Sequence, residues 1–200
     1  MASELVLDPP VIAILRADSA ARFAEVAATL LDAGVSAVEF TLSTPGALDA
    51  LRECAGLGFG AGTVLTPEAA AHAVDAGAAY LITPAVCADV IAEGSALGVP
   101  VIAGAFTPTE ILAAWRAGAT MVKVFPALVG GPDYVRAVRA PLPHIPLVPT
   151  GGVGIAEATA YLAAGATAVG MGSPLVGDAC AGGSLAALRE RAAELAELLR

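Results

Sequence analysis

Lysine is almost missing from this chain of 200 residues: the ten basic residues comprise nine arginines and the single Lys123. Histidine occurs twice, cysteine three times, and aromatic residues make up only 4%. His72 falls in an expected helix, His144 in a proline-rich connection, and Cys54, Cys87 and Cys180 show no paired-ligand spacing, so no zinc set and no disulfide framework emerges. A metal-dependent reaction is thereby set aside, and no cofactor is expected. Charged residues are scarce at 14%, and acidic ones outnumber basic ones to give a formal net charge of −9. That balance argues against nucleic acid or an anionic membrane as partner, since both reward basic surface. Although 57% of residues are hydrophobic, no stretch approaches the roughly 18 uninterrupted apolar residues of a membrane helix. The first residues lack a basic region followed by an apolar one, so no secretory signal is expected, and a reducing cytoplasm is the expected compartment. Gly60-Ala61-Gly62 lacks the third glycine and the later acidic residue of a dinucleotide fingerprint.

Glycine and alanine, by contrast, are abundant and periodic. Ala33-Gly34-Val35, Leu57-Gly58-Phe59, Ala76-Gly77-Ala78, Leu97-Gly98-Val99, Ala117-Gly118-Ala119 and Ala164-Gly165-Ala166 each close an alanine-rich helical stretch and open an apolar run. Their glycines lie 24, 19, 21, 20 and 47 residues apart, the last gap being two units long. A glycine just past a helix end supplies the left-handed residue that turns the chain into a strand. The repeat predicts strands over Val11–Arg16, Ser36–Leu42, Phe59–Leu65, Tyr80–Thr83, Val101–Ala103, Met121–Ala127, Leu147–Thr150 and Thr167–Met171. Helices are expected over Ser19–Ala33, Pro45–Ala55, Pro67–Ala76, Ala88–Leu97, Pro108–Ala117, Pro132–Arg139, Ile155–Ala164 and Leu185–Leu199. Threonine before proline at Thr44-Pro45, Thr66-Pro67 and Thr107-Pro108 marks three helix starts. Eight strand–helix units in 200 residues imply an α/β fold, a single-domain (β/α)8 TIM barrel spanning residues 1–200. A doubly wound open sheet is the alternative, but it usually has fewer strands at this length.

The sole lysine lies within one of these strands, in Met121-Val122-Lys123-Val124-Phe125-Pro126-Ala127. Alternation places Lys123 and Phe125 on one face and Val122 and Val124 on the other. A strand-end lysine reaching for solvent, or one paired with a carboxylate, would be structural. An amine kept where arginine serves every other basic position suggests chemistry, because a desolvated amine can attack a carbonyl and a guanidinium cannot. In a barrel, the carboxyl ends of the strands carry the active site. Polar residues gather there: Arg16, Glu39 and Thr41, Thr63, Thr83-Pro84, Lys123, Thr150-Gly151-Gly152 and Gly170-Met171-Gly172-Ser173. Glu39 needs a partner, which Lys123 or Arg16 could provide. Read functionally, Glu39 moves protons while Lys123 forms an iminium with a ketone. The glycines after strands 7 and 8 let backbone N–H groups approach an anion, where barrels commonly hold phosphate.

Four motifs, Val38-Glu39-Phe40-Thr41-Leu42, Gly60-Ala61-Gly62-Thr63-Val64-Leu65, Val122-Lys123-Val124-Phe125-Pro126-Ala127 and Val148-Pro149-Thr150-Gly151-Gly152-Val153, carry a family resemblance. With Val11–Arg16 and Val169–Ser173 they span nearly the whole chain. The sequence resembles the 2-keto-3-deoxy-6-phosphogluconate (KDPG) and 4-hydroxy-2-oxoglutarate (KHG) aldolases. The resemblance implies a class I aldolase of the Entner–Doudoroff type, with Lys123 as Schiff-base lysine and Glu39 as general acid/base. It places Arg16 and Thr63 near the pyruvyl carboxylate, Pro84 and Phe125 along the pocket, and Thr150 near the substrate hydroxyls. Gly151, Gly152, Gly172 and Ser173 would hold phosphate, the substrate would be a keto-acid sugar phosphate, and the assembly a homotrimer. Two positions depart from the family pattern: Ser43 stands where some members have a carboxylate-binding arginine, and Thr83-Pro84-Ala85 replaces serine-proline-glycine or serine-proline-histidine. The alternatives are a 2-keto-3-deoxy-6-phosphogalactonate (KDPGal) aldolase, a hydroxyoxoglutarate-preferring relative, or a non-catalytic barrel that binds a sugar phosphate.

Overall fold

A computed structural model describes Leu5 and residues 7–199. Eight strands form one parallel sheet: Val11–Leu15 (β1), Ala37–Thr41 (β2), Gly60–Gly62 (β3), Leu81–Ile82 (β4), Val101–Ala105 (β5), Met121–Val124 (β6), Leu147–Pro149 (β7) and Val169–Met171 (β8). They follow the order β7-β6-β5-β4-β3-β2-β1-β8. The ring closes between β7 and β8 through the Thr150–Gly170 bridge and a 2.8 Å bond from the Thr167 amide to the Leu147 carbonyl. The expected barrel is therefore the observed one. The helices are Phe23–Asp32 (α1), Ala47–Glu53 (α2), Pro67–Asp75 (α3), Ala88–Leu97 (α4), Pro108–Arg116 (α5), Gly131–Arg139 (α6), Ile155–Ala163 (α7), Ser173–Val176 (α8) and Leu185–Leu198 (α9). The short α8 adds a turn that the repeat does not announce.

The six periodic glycines all take positive φ, between +75° and +102°, as a helix-to-strand turn requires. Two of the three threonine starts hold. Thr66 Oγ1 accepts from the Ala69 amide, and Thr107 forms a reciprocal capping box with Glu110. The third does not: α2 begins only after Gly46, whose φ is +84°. Thr44 instead accepts a 3.3 Å bond from the Ala17 amide, tying the loop after β2 to the loop after β1. Strands are mostly shorter than expected at their carboxyl ends. Arg16, Leu42, Thr83 and Phe125 all lie just past the last strand residue, although the amides of Leu42, Thr83 and Phe125 still donate to the carbonyls of Gly62, Ile102 and Ala105 on the neighbouring strands.

Alternation along the strands divides the core into two. Outward residues such as Val11, Ala13, Leu15, Val38, Phe40, Val122 and Val124 pack against the helices in one continuous apolar layer. Phe40 anchors it between an edge-on Phe23 and a stacked Phe59 at 5.4 and 5.6 Å between centroids. A smaller cluster of Ile12, Ala37, Tyr80, Ile82, Ile102, Met121, Val148 and Ala168 fills the barrel's interior. Tyr80 lies there because Gly60 has no side chain; a Cβ at that position would stand 2.2 Å from the ring. Its hydroxyl donates to the Val38 carbonyl at 2.9 Å, satisfying a phenol that would otherwise be costly to bury.

Candidate active site

Above the interior cluster the same inward positions turn polar. Strands β2 and β6 face each other across the ring, and they project Glu39 and Lys123 into it, 1% and 7% exposed. Both line a narrow void walled by Ile12, Ile14, Ile82, Ile102 and Val148, with no room for a water molecule. A cleft of about 340 Å³ opens over it at the carboxyl ends of the strands. Lys123 and Thr150 line both spaces, so the amine stands between a closed floor and an open mouth.

Glu39 has no ion-pair partner within 4.0 Å among the described residues, and both its carboxyl oxygens lack hydrogen bonds there, as does the Thr41 hydroxyl. Neither Lys123 nor Arg16, the two partners the sequence offers, forms a direct ion pair with it. Burial pushes the Glu39 carboxyl above the usual carboxylate range, against the opposing positive charges of Lys123 and Arg16. Its position depends on Gly62: a Cβ built there would lie 1.6 Å from Glu39 Oε1. Gly170 plays the same part for Thr150, whose Oγ1 would be 2.3 Å from a Cβ and which donates to the Val148 carbonyl at 3.1 Å. Gly62 does not stand out as a site residue in the sequence, and Gly170 does so only as part of the glycine-rich run at the end of β8, not as a neighbour of Thr150. The available signal is their strand phase, which puts a missing side chain on the inward face beside a large or polar neighbour.

Arg16, Lys123, Phe125, Thr150, Gly151, Gly152, Gly172 and Ser173 all line the cleft, eight of the eleven residues singled out from sequence. Glu39 sits below them and Thr63 at the rim, accepting a 3.3 Å bond from Arg16. Thr63 has φ of +58°, a conformation costly for a β-branched residue and concentrated at functional sites. Pro84 does not line the cleft. Its carbonyl packs over Gly104, and the Thr83 hydroxyl donates to the Ala85 carbonyl at 2.6 Å while accepting from the Gly104 amide at 3.1 Å, so this segment is held against β5. Ser43, at the other departure from the family pattern, is exposed and outside the cleft lining. The Phe125 ring centroid lies 5.3 Å from Lys123 Nζ, within cation–π range.

At the other end Gly151 and Gly152 take consecutive φ values of +89° and +79°. A Cβ would meet the Phe125 ring at 2.9 Å at the first and Leu128 at 2.5 Å at the second. These two residues therefore hold a backbone path closed to side chains, and Ser173 shares the lining with them. The cleft thus has a cationic rim, a buried amine above a buried carboxyl, and a glycine-lined end. Such an arrangement can bind a carboxylate, attack a ketone and accommodate an anion.

Residues 3–187 match the family model described as KDPG and KHG aldolase. The chain belongs to the KDPG and KHG aldolase family. It is similar to a probable 2-dehydro-3-deoxy-6-phosphogalactonate aldolase of Rhizobium meliloti, 36% identical over 175 residues, covering 84% of this chain and 82% of the relative. A 2-dehydro-3-deoxy-phosphogluconate aldolase of Pseudomonas aeruginosa is also 36% identical, over 76% of this chain and 72% of its own. Among solved structures, the KDPG aldolase of Legionella pneumophila, with pyruvate captured as a covalent carbinolamine, superposes with a TM-score of 0.83 at 28% identity, covering 94% of each chain. As a member of the KDPG and KHG aldolases, the chain is a lyase of the Schiff-base class. Among the described residues no helix is long and apolar enough to cross a membrane.

Proposed function

We propose that the chain reversibly cleaves 2-keto-3-deoxy-6-phosphogluconate to pyruvate and glyceraldehyde 3-phosphate, with Lys123 as the covalent residue. The observation that carries this is the placement of the only lysine, buried at the floor of a cleft whose far end is lined by glycine backbone. Its amine attacks the C2 ketone, and loss of water from the carbinolamine leaves an iminium. Glu39, whose acid form burial favours, supplies the proton that lets hydroxide leave as water, and as carboxylate it accepts the proton of the C4 hydroxyl. The C3–C4 bond then breaks, its electrons passing into an enamine, and the aldehyde departs. Protonation at C3 and hydrolysis release pyruvate. Arg16, held by Thr63, binds the pyruvyl carboxylate, Phe125 bounds the pocket, and Thr150 faces the sugar hydroxyls. Gly151, Gly152, Gly172 and Ser173 receive the phosphate.

Cleavage of 4-hydroxy-2-oxoglutarate to pyruvate and glyoxylate uses the same steps without the phosphate. The relatives named for the phosphogalactonate and phosphogluconate substrates are equally identical to this chain, so the C4 epimers form the second reading. Comparing kcat/KM for the two epimers and the unphosphorylated keto acid ranks them. The test of the mechanism is incubation with pyruvate and borohydride. One reduced pyruvyl group per chain is expected on Lys123, with loss of activity, and none in Lys123→Arg. Retained activity in Lys123→Arg would sink the proposal. The active form is further proposed to be a homotrimer in the cytoplasm. Support for assembly comes from Leu128 and Val129, each 64% exposed beside the cleft mouth, a position that favours burial by a neighbouring chain. A light-scattering mass of one chain, or recovery of the activity in a secreted fraction, would count against these two statements.

A further inference from the structure

Five of the residues lining the cleft, Gly172, Ser173, Pro174, Val176 and Gly177, belong to the short helix α8 or the glycine on either side of it. A single helical turn has little stability of its own, and Gly177, with φ of +60° and ψ of −135°, ends it abruptly. Its last two carbonyls meet α9. There Arg191 Nε donates to the Leu175 carbonyl at 2.8 Å, and one of its terminal nitrogens donates to the Val176 carbonyl at 3.2 Å. The same nitrogen lies 2.7 Å from where a Cβ would stand on Gly177. Gly177 is therefore the residue that lets the guanidinium reach the back of the cleft wall. Among the described residues Arg191 has no carboxylate within 4.0 Å. Its charge faces these carbonyls uncancelled by an acidic partner, in a protein whose net charge is −9.

We infer that Arg191 is a positioning residue for the anionic end of the substrate: it grips both terminal carbonyls of α8 from behind, fixing Ser173 and Gly172, and adds a positive charge to that side of the cleft. A planar fork that spans two carbonyls holds such a turn in orientation as well as in place, which a point-charge ammonium cannot do. The inference rests on the phosphate assignment proposed above and adds to it a residue that never touches the ligand.

The test compares KDPG with unphosphorylated 4-hydroxy-2-oxoglutarate in Arg191→Met and, separately, in Ser173→Asp, with pyruvate–borohydride trapping on Lys123 as a check that the barrel is intact. Arg191→Met is expected to raise KM for KDPG roughly tenfold, with a much smaller change for the unphosphorylated substrate, and to weaken competitive inhibition by inorganic phosphate in parallel. Arg191→Lys should fall between, and it carries the same comparison if the methionine variant does not fold. Equal losses on both substrates in the Arg191 variants, with selective loss in Ser173→Asp, would overturn the role of Arg191 and leave the phosphate assignment standing. Unselective loss in Ser173→Asp would overturn both. A wild-type KM for KDPG in Arg191→Met would overturn the role alone.

Discussion

Replacing Glu39 by glutamine should stabilise the protein at neutral pH while reducing turnover. The carboxyl is buried, its oxygens meet no donor among the described residues, and burial raises its pKa above the ordinary 4.5. In the unfolded chain it ionises normally, so between 4.5 and the raised value the native state binds more protons than the unfolded state. Stability contributed by this group therefore falls as pH rises through that window, at up to about 1.36 kcal/mol per pH unit. Holding the carboxyl protonated at pH 7 costs a few kcal/mol at most, the free energy of loading a proton onto a group whose ordinary pKa is 4.5. A glutamine side chain resembles the protonated acid in shape and carries no such cost. Urea unfolding of the two proteins between pH 5 and pH 8 should show Glu39→Gln more stable at pH 7, by no more than that amount, with the gap closing toward pH 5. A gap that widens toward acid, or a less stable glutamine variant at pH 7, would show instead that Lys123 and Arg16 hold Glu39 as a carboxylate.

Two further substitutions separate binding from proton transfer. Arg16→Ala should raise KM for pyruvate-type substrates by about 10- to 100-fold through loss of a charge-assisted contact, whereas Glu39→Gln should act mainly on kcat; an unchanged KM in Arg16→Ala would remove the carboxylate assignment. Gly62→Ala introduces a methyl group where the Glu39 carboxyl now lies, and steady-state assays should show kcat lowered by roughly 100-fold, since displacement of about 1 Å can cost that much. Borohydride trapping on Lys123 should survive in the Gly62 variant, and a wild-type kcat would show that Glu39 needs no fixed position.

The barrel is legible because its punctuation is local. A helix that ends in alanine-glycine and a strand that begins with β-branched residues repeat at an interval that the chain cannot hide. Most of the cleft follows, since alternation alone puts Glu39, Lys123 and Thr150 on the inward face. What stays hidden depends on residues brought together from different units. That Thr44 serves the loop after β1 rather than the start of α2 is decided by the closeness of two loops. That Pro84 packs on β5 and stays out of the cleft lining is decided by Gly104, a strand away. The left-handed backbone of Thr63 and the reach of Arg191 to α8 leave no mark in the local sequence, because both are set by partners far along the chain or in another element.

The void beneath Lys123 bears on where protons travel. It has no room for a water molecule, so in its proposed role Glu39 meets water only at the amine, where the carbinolamine sheds one molecule and hydrolysis consumes another. Between those two events the carboxyl that takes the C4 hydroxyl proton is also the group placed to return a proton to the three-carbon fragment. The floor of the barrel would then confine proton traffic to the side on which the substrate is bound.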